Sequence, residues 1–100
     1  MSSQVRPTSA AHADLIQAYD WYERQSPGLG KEFVRAVDAA MAVIERNPDL
    51  LAPVYQDLRR VLTKRFPYAV YYHCPEPGVA RVIGVLHTGM DRARLNPRLD

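Results

Sequence analysis

Residues 29–48, LGKEFVRAVDAAMAVIERNP, set the hydrophobic period of the chain and then break it. Leu29, Phe33, Val37, Ala40, Met41 and Ile44 fall on one side of a 3.6-residue repeat, which predicts an amphipathic helix over 29–46. Asn47-Pro48 stops it, because proline disfavours the α conformation of the residue before it. Past this point the pattern changes to strands. Residues 58–62 (LRRVL) and 68–74 (YAVYYHC) are rich in β-branched and aromatic residues and are separated by Phe66-Pro67. Pro75-Glu76-Pro77-Gly78 is a turn, and residues 79–86 (VARVIGVL) read as a third strand, apolar enough to be central. The short connections favour antiparallel pairing.

Upstream, Leu15, Ala18, Tyr19 and Tyr22 recur at i, i+3, i+4 and i+7, so residues 10–26 form a helix with Ser9 as its expected N-cap. Ser26-Pro27-Gly28-Leu29-Gly30 breaks the period, giving two antiparallel helices. Gln4-Val5-Arg6 is a short edge strand, and residues 90–100 are a polar tail, either docked or frayed. The expected fold class is α+β: an N-terminal helical hairpin packed on one face of an antiparallel β-sheet, in a single domain over 1–100.

Composition excludes several classes. With 47% hydrophobic and 24% charged residues the chain is not disordered, no apolar run approaches the ~20 residues that cross a bilayer, and its lone Cys74 permits neither an intrachain disulfide nor a Cys-rich zinc site. MSSQVRPTSA lacks the apolar run of a signal peptide, which points to the cytoplasm. No Gly-rich phosphate loop follows a strand, and His12, His73 and His87 are dispersed, so neither a metal nor another cofactor is expected. The net charge of +2 is uneven. Residues 1–50 carry five Lys/Arg and seven Asp/Glu (−2), whereas residues 51–100 carry eight and four (+4). The basic half either faces something anionic or solubilises strand surfaces.

Three groups carry functional readings. Arg59, Arg60, Lys64 and Arg65 could grip an acidic partner or phosphates, or dress a strand edge against aggregation; period-2 alternation puts Arg60 and Lys64 on one face and Arg59 and Arg65 on the other. His87, at a strand end before Thr88-Gly89, could move a proton, bind a partner or bond a nearby backbone group. Trp21, Tyr22, Phe66, Tyr68, Tyr71 and Tyr72 could stack on bases, but fit better as core between hairpin and sheet. Cys74 reads as an inert thiol.

ADLIQAYDWYERQSPGLGKEF, IERNP, LRRVLTKRFPYAVYYH and ARVIGVLHTGMDRARL together resemble the RelE/ParE family of plasmid-stabilisation toxins, over about residues 10–95. The resemblance implies a bacterial toxin of a type II toxin–antitoxin pair, assembled into an oligomer with a small cognate antitoxin that wraps its surface. Arg59, Arg60, Lys64, Arg65, His87 and Arg92 are the implied partner- or target-binding residues.

RelE-like members of the family cleave mRNA on the ribosome without metal, using sheet-face basic residues and a terminal Tyr or His. The position matching an important arginine of that set is Ala69, which can neither stabilise a phosphorane nor donate a proton. Arg60 and His87 are the remaining matches. ParE-like members instead poison DNA gyrase by binding, and this chain looks closer to that branch, hence not an enzyme. The alternatives are a RelE-type endoribonuclease and a non-toxic antitoxin-binding protein.

Overall fold

The computed structural model describes residues 4–49, 51–90 and 92–99; of Arg92 only the backbone is described. In chain order the elements are β1 (Gln4–Pro7), α1 (Ser9–Gln25), α2 (Leu29–Arg46), β2 (Arg59–Leu62), β3 (Tyr68–Glu76), β4 (Val79–His87) and a C-terminal 3-10 helix (Arg92–Arg98). The helical hairpin covers one face of a four-stranded sheet of order β1-β4-β3-β2. Among the described residues no helix is long and apolar enough to cross a membrane.

β2, β3 and β4 pair antiparallel as expected. β1 corrects the wholly antiparallel sheet: it pairs parallel to β4, from Gln4 against Val79 to Pro7 against Val82, so the sheet is mixed. The helical hairpin, β2 and β3 all separate β1 from β4, and a long connection permits parallel pairing where a tight turn does not.

The α1 N-cap also differs by one residue. Thr8, in extended backbone, accepts from the Ala11 N–H at 3.2 Å, and Ser9 is already helical. The hairpin turn explains the YERQSPGLG stretch. The Glu23 carboxylate accepts the Gly28 and Gly30 N–H groups, 3.0–3.1 Å away, supplying the N-terminal acceptor that α2 lacks at its glycine cap. Gly28 sits at φ 89, and a Cβ on Gly30 would lie 2.9 Å from the Tyr19 ring and carbonyl.

Two cores sandwich the sheet. On the helix side Phe33, Val37 and Ile44 pack against Val70, Tyr72, Val82 and Val85. Tyr22, Phe33, Phe66 and Tyr68 form a ring cluster with centroids 4.9–6.0 Å apart, edge-to-face except for the tilted Tyr22–Phe33 pair, so these aromatics are core, as the spacing implies. The buried Tyr72 hydroxyl donates to the Pro48 carbonyl at 2.7 Å, fixing the exit of α2. On the opposite face Leu58, Ala69, Tyr71, Ile83 and Leu86 are covered by Leu95 of the 3-10 helix. The tail is therefore docked.

Candidate functional site

The sheet separates the expected basic residues. Arg59 pairs in register with Tyr72 on the helix face, and Arg60 with Tyr71 on the opposite face. Arg59 is committed to holding the α2–β2 connection: its Nη1 donates to the Asp49 and Leu51 carbonyls at 3.1 and 2.5 Å. β2 ends at Leu62, so strand alternation does not reach Lys64 or Arg65, which share the β2–β3 turn and are both exposed. That corrects the assignment of Arg60 with Lys64, and Arg59 with Arg65, to common faces.

The turn is anchored by Thr63, whose buried hydroxyl lies 3.0 and 3.1 Å from the Phe66 and Tyr68 carbonyls. Arg65 takes φ 73, a left-handed conformation that favours glycine, and its guanidinium lies a loose 3.9 Å from Glu32. Lys64 makes no ion pair among the described residues. Together with Arg46 it frames a small groove of about 170 Å³ floored by Ala36, Ala39, Val43, Val61 and Leu62. β2 is an edge strand and Leu62 is 56% exposed, so this margin presents apolar surface ringed by positive charge.

His87 ends β4 opposite Tyr68, on the helix side. Its ring stands edge-on to Tyr68 at 5.6 Å, and its Nδ1 accepts the Gly89 N–H at 2.9 Å. The histidine thus bonds a nearby backbone group and carries its neutral-state proton on Nε2. Trp21, 49% exposed, faces it across a cleft of about 430 Å³ completed by Tyr22, Pro67 and Tyr68. Burial, reinforced by Tyr68 in the case of Tyr22 and by Asp14 in the case of Tyr68, pushes the Tyr22 and Tyr68 hydroxyls above the usual phenol value, so both remain proton donors.

Arg60 and His87 therefore lie on opposite faces of the sheet and are not brought together as one catalytic pair. The Arg92 side chain lies outside the described residues. Ala69 is 0% exposed, packed among Tyr71, Leu86 and Leu95, in a site sealed by apolar side chains. Cys74 is half-buried, and burial, with Asp49 adding to it, pushes its thiol above the ordinary value, leaving little thiolate. Among the described residues no group of His, Cys, Asp and Glu is arranged to hold a metal.

Sequence reasoning missed two features that the fold assembles: Asp14–Arg98, and a row of Arg6, Arg81 and His73. Their members come from separate segments, and only strand register or a docked tail makes them neighbours.

The structure is similar to the toxin–antitoxin system titled chromosomal ParDE from P. aeruginosa, with a TM-score of 0.74 and 16% identity over 85% of this chain and 95% of that one. It is also similar to the toxin–antitoxin complex RelBE2 from Mycobacterium tuberculosis, with a TM-score of 0.57 and 18% identity over 87% and 92% of the two chains. At such identities these likenesses show the shared fold. No curated protein matches the sequence significantly. The family described as ParE toxin of type II toxin-antitoxin system, parDE, matches residues 5–92, and the chain belongs to it.

Proposed function

We propose that this toxin acts in the cytoplasm by binding DNA gyrase rather than by cleaving RNA, and that a cognate antitoxin neutralises it. The observation that carries this reading is Ala69. A metal-independent ribonuclease needs cationic donors around the scissile phosphate, and the position that would supply one is a buried methyl group under Leu95. The separation of Arg60 and His87 by the sheet supports the same reading. The antitoxin docks along the β2 margin, where the apolar groove framed by Arg46 and Lys64 suits an acidic amphipathic segment that orders on binding.

The test is expression of the protein alone in a bacterial host, followed by transcript mapping and plasmid-supercoiling analysis. Growth arrest with altered supercoiling and intact transcripts is the expected outcome, relieved by co-expression of the antitoxin. Codon-positioned mRNA cuts that disappear with His87→Ala would establish the ribonuclease instead. Unimpaired growth would leave a non-toxic antitoxin-binding protein.

A further inference from the structure

Arg6, Arg81 and His73 form a row across three strands, on the sheet face turned away from the helices. Arg6 of β1 is in register with Arg81 of β4, and Arg81 with His73 of β3. Neighbouring strands lie ~4.8 Å apart, so the two arginines are neighbours across the β1–β4 seam. Like charges directly opposite one another weaken a sheet. No carboxylate relieves this pair: among the described residues the ion pairs are Arg65–Glu32 and Arg98–Asp14.

Each guanidinium is instead oriented by a neutral acceptor. Arg6 Nη2 donates to Gln4 Oε1 at 2.5 Å, and Arg81 Nη1 lies 3.3 Å from His73 Nε2. Arginine only donates, so Nε2 accepts and the imidazole proton sits on Nδ1. Burial, then the Arg81 charge, holds His73 below the ordinary histidine range, with Asp57 pulling weakly the other way; the ring is in the neutral form that this bond needs.

Both arginines open onto a cleft of about 310 Å³ that Thr8, Val79 and Glu76 also line. The Thr8 hydroxyl accepts from Ala11, and that bond leaves its proton available to donate. Glu76 is exposed and beyond ion-pair reach of either guanidinium.

We propose that this cleft is an oxyanion site that takes a phosphate group between Arg6 and Arg81. A carboxylate is planar and matches one guanidinium fork edge to edge, whereas the tetrahedral oxygens of a phosphate can face two forks at once. The site is separate from the His87 cleft: Arg81 and His87 are six residues apart along β4, about 20 Å. The phosphate comes either from free phosphate or from a nucleic-acid backbone, which share this chemistry.

The experiment is an NMR titration of the full chain, following the His73 ring and the arginine Nε–Hε signals. Inorganic phosphate, an oligothymidylate and a glutamate-rich peptide are added at matched ionic strength, with chloride as control. Phosphate is expected to shift the Arg6, Arg81 and His73 signals saturably, and to raise the His73 titration midpoint by offsetting the Arg81 charge. Arg6→Gln/Arg81→Gln should weaken binding at least about tenfold, with Arg81→Lys intermediate because the fork is lost and the charge kept. Tighter binding of oligothymidylate than of phosphate identifies the backbone as the source; equal or weaker binding identifies free phosphate. Shifts matched by chloride, binding retained by a folded double variant, or preference for the glutamate-rich peptide would each overturn the proposal.

Discussion

Arg98 reaches round the open edge of β4 to place its Nη1 2.6 Å from Asp14 Oδ2, joining the last described helix to the first. β1 covers the β4 edge only as far as Val82, and the Asp14 carboxylate takes over beyond it, accepting the Val85 N–H at 3.1 Å. Arg98 also donates to the Ile83 carbonyl at 3.1 Å. Gly84 makes the crossing possible: a Cβ there would lie 2.9 Å from Leu95 Cδ2 and 3.2 Å from Arg98 Nη1. One ion pair thus closes a sheet edge and seats Leu95 over Ala69.

Breaking this clasp should loosen the tail before the hairpin. Asp14→Asn and Arg98→Gln should each cost about 1–3 kcal/mol in urea melts, the range for part-buried hydrogen bonds to charged groups. The double variant should cost less than their sum, because both remove one interaction. Additive losses would mean that the pair contributes little.

The ring cluster makes a second prediction. Phe33 is 0% exposed between Tyr22, Phe66 and Tyr68, so Phe33→Ala should destabilise by ~3–5 kcal/mol. Gly30→Ala should cost about 1–3 kcal/mol through its clash with Tyr19. Denaturation midpoints check both, and a loss below about 1 kcal/mol at Phe33 would contradict the packing.

Local patterns made the helices legible: the predicted 10–26 and 29–46 stand against Ser9–Gln25 and Leu29–Arg46, because period and breakers are written in adjacent residues. The three later strands were legible for the same reason, to within two residues at each end. The parallel seat of β1 was not, since nothing in Gln4–Pro7 names β4 as its partner. The docked tail was equally hidden, because its few apolar residues, Leu95 among them, are scattered through a polar stretch without a period, and the site for Leu95 is built by Ala69, Tyr71 and Leu86. Among the basic residues, composition located the charge, but only the structure separates Arg59, spent on backbone carbonyls, from the exposed Lys64.

His73 predicts a pH dependence. Its folded value lies below the ordinary 6.5, so the unfolded chain takes up the proton first as pH falls. The stability contributed by the neutral ring is complete above about pH 6.5 and is lost as pH drops from there towards the folded value. Urea midpoints between pH 7.5 and 5 should therefore fall more steeply for the wild type than for His73→Gln. Parallel curves would show that the ring titrates alike in both states.

The β2 margin predicts how charge contributes to antitoxin capture. Lys64→Glu should weaken antitoxin binding at low salt, with the loss shrinking at high salt as exposed charges are screened. Arg65→Gly should weaken it too while leaving stability unchanged or improved, because glycine relieves the left-handed strain at φ 73. Arg59→Ala should instead lower stability, by releasing the Asp49 and Leu51 carbonyls. Calorimetric titration with the antitoxin alongside melting curves separates the three, and unchanged affinity for Lys64→Glu would assign that lysine to solubility alone.

The central claim, a toxin that works by binding gyrase without ribonuclease chemistry, is tested most directly with purified components. The protein is added to DNA gyrase and relaxed plasmid, and in parallel to translating ribosomes carrying a defined mRNA. The account predicts dose-dependent loss of supercoiling or accumulation of cleaved plasmid, reversed by the antitoxin, with the mRNA left intact. His87→Ala should reduce the gyrase effect only modestly, by the ~0.5–1.5 kcal/mol of one neutral hydrogen bond. Full gyrase activity in the presence of the protein, together with ribosome-dependent mRNA cuts that His87→Ala slows ~10²–10⁴-fold, would contradict it.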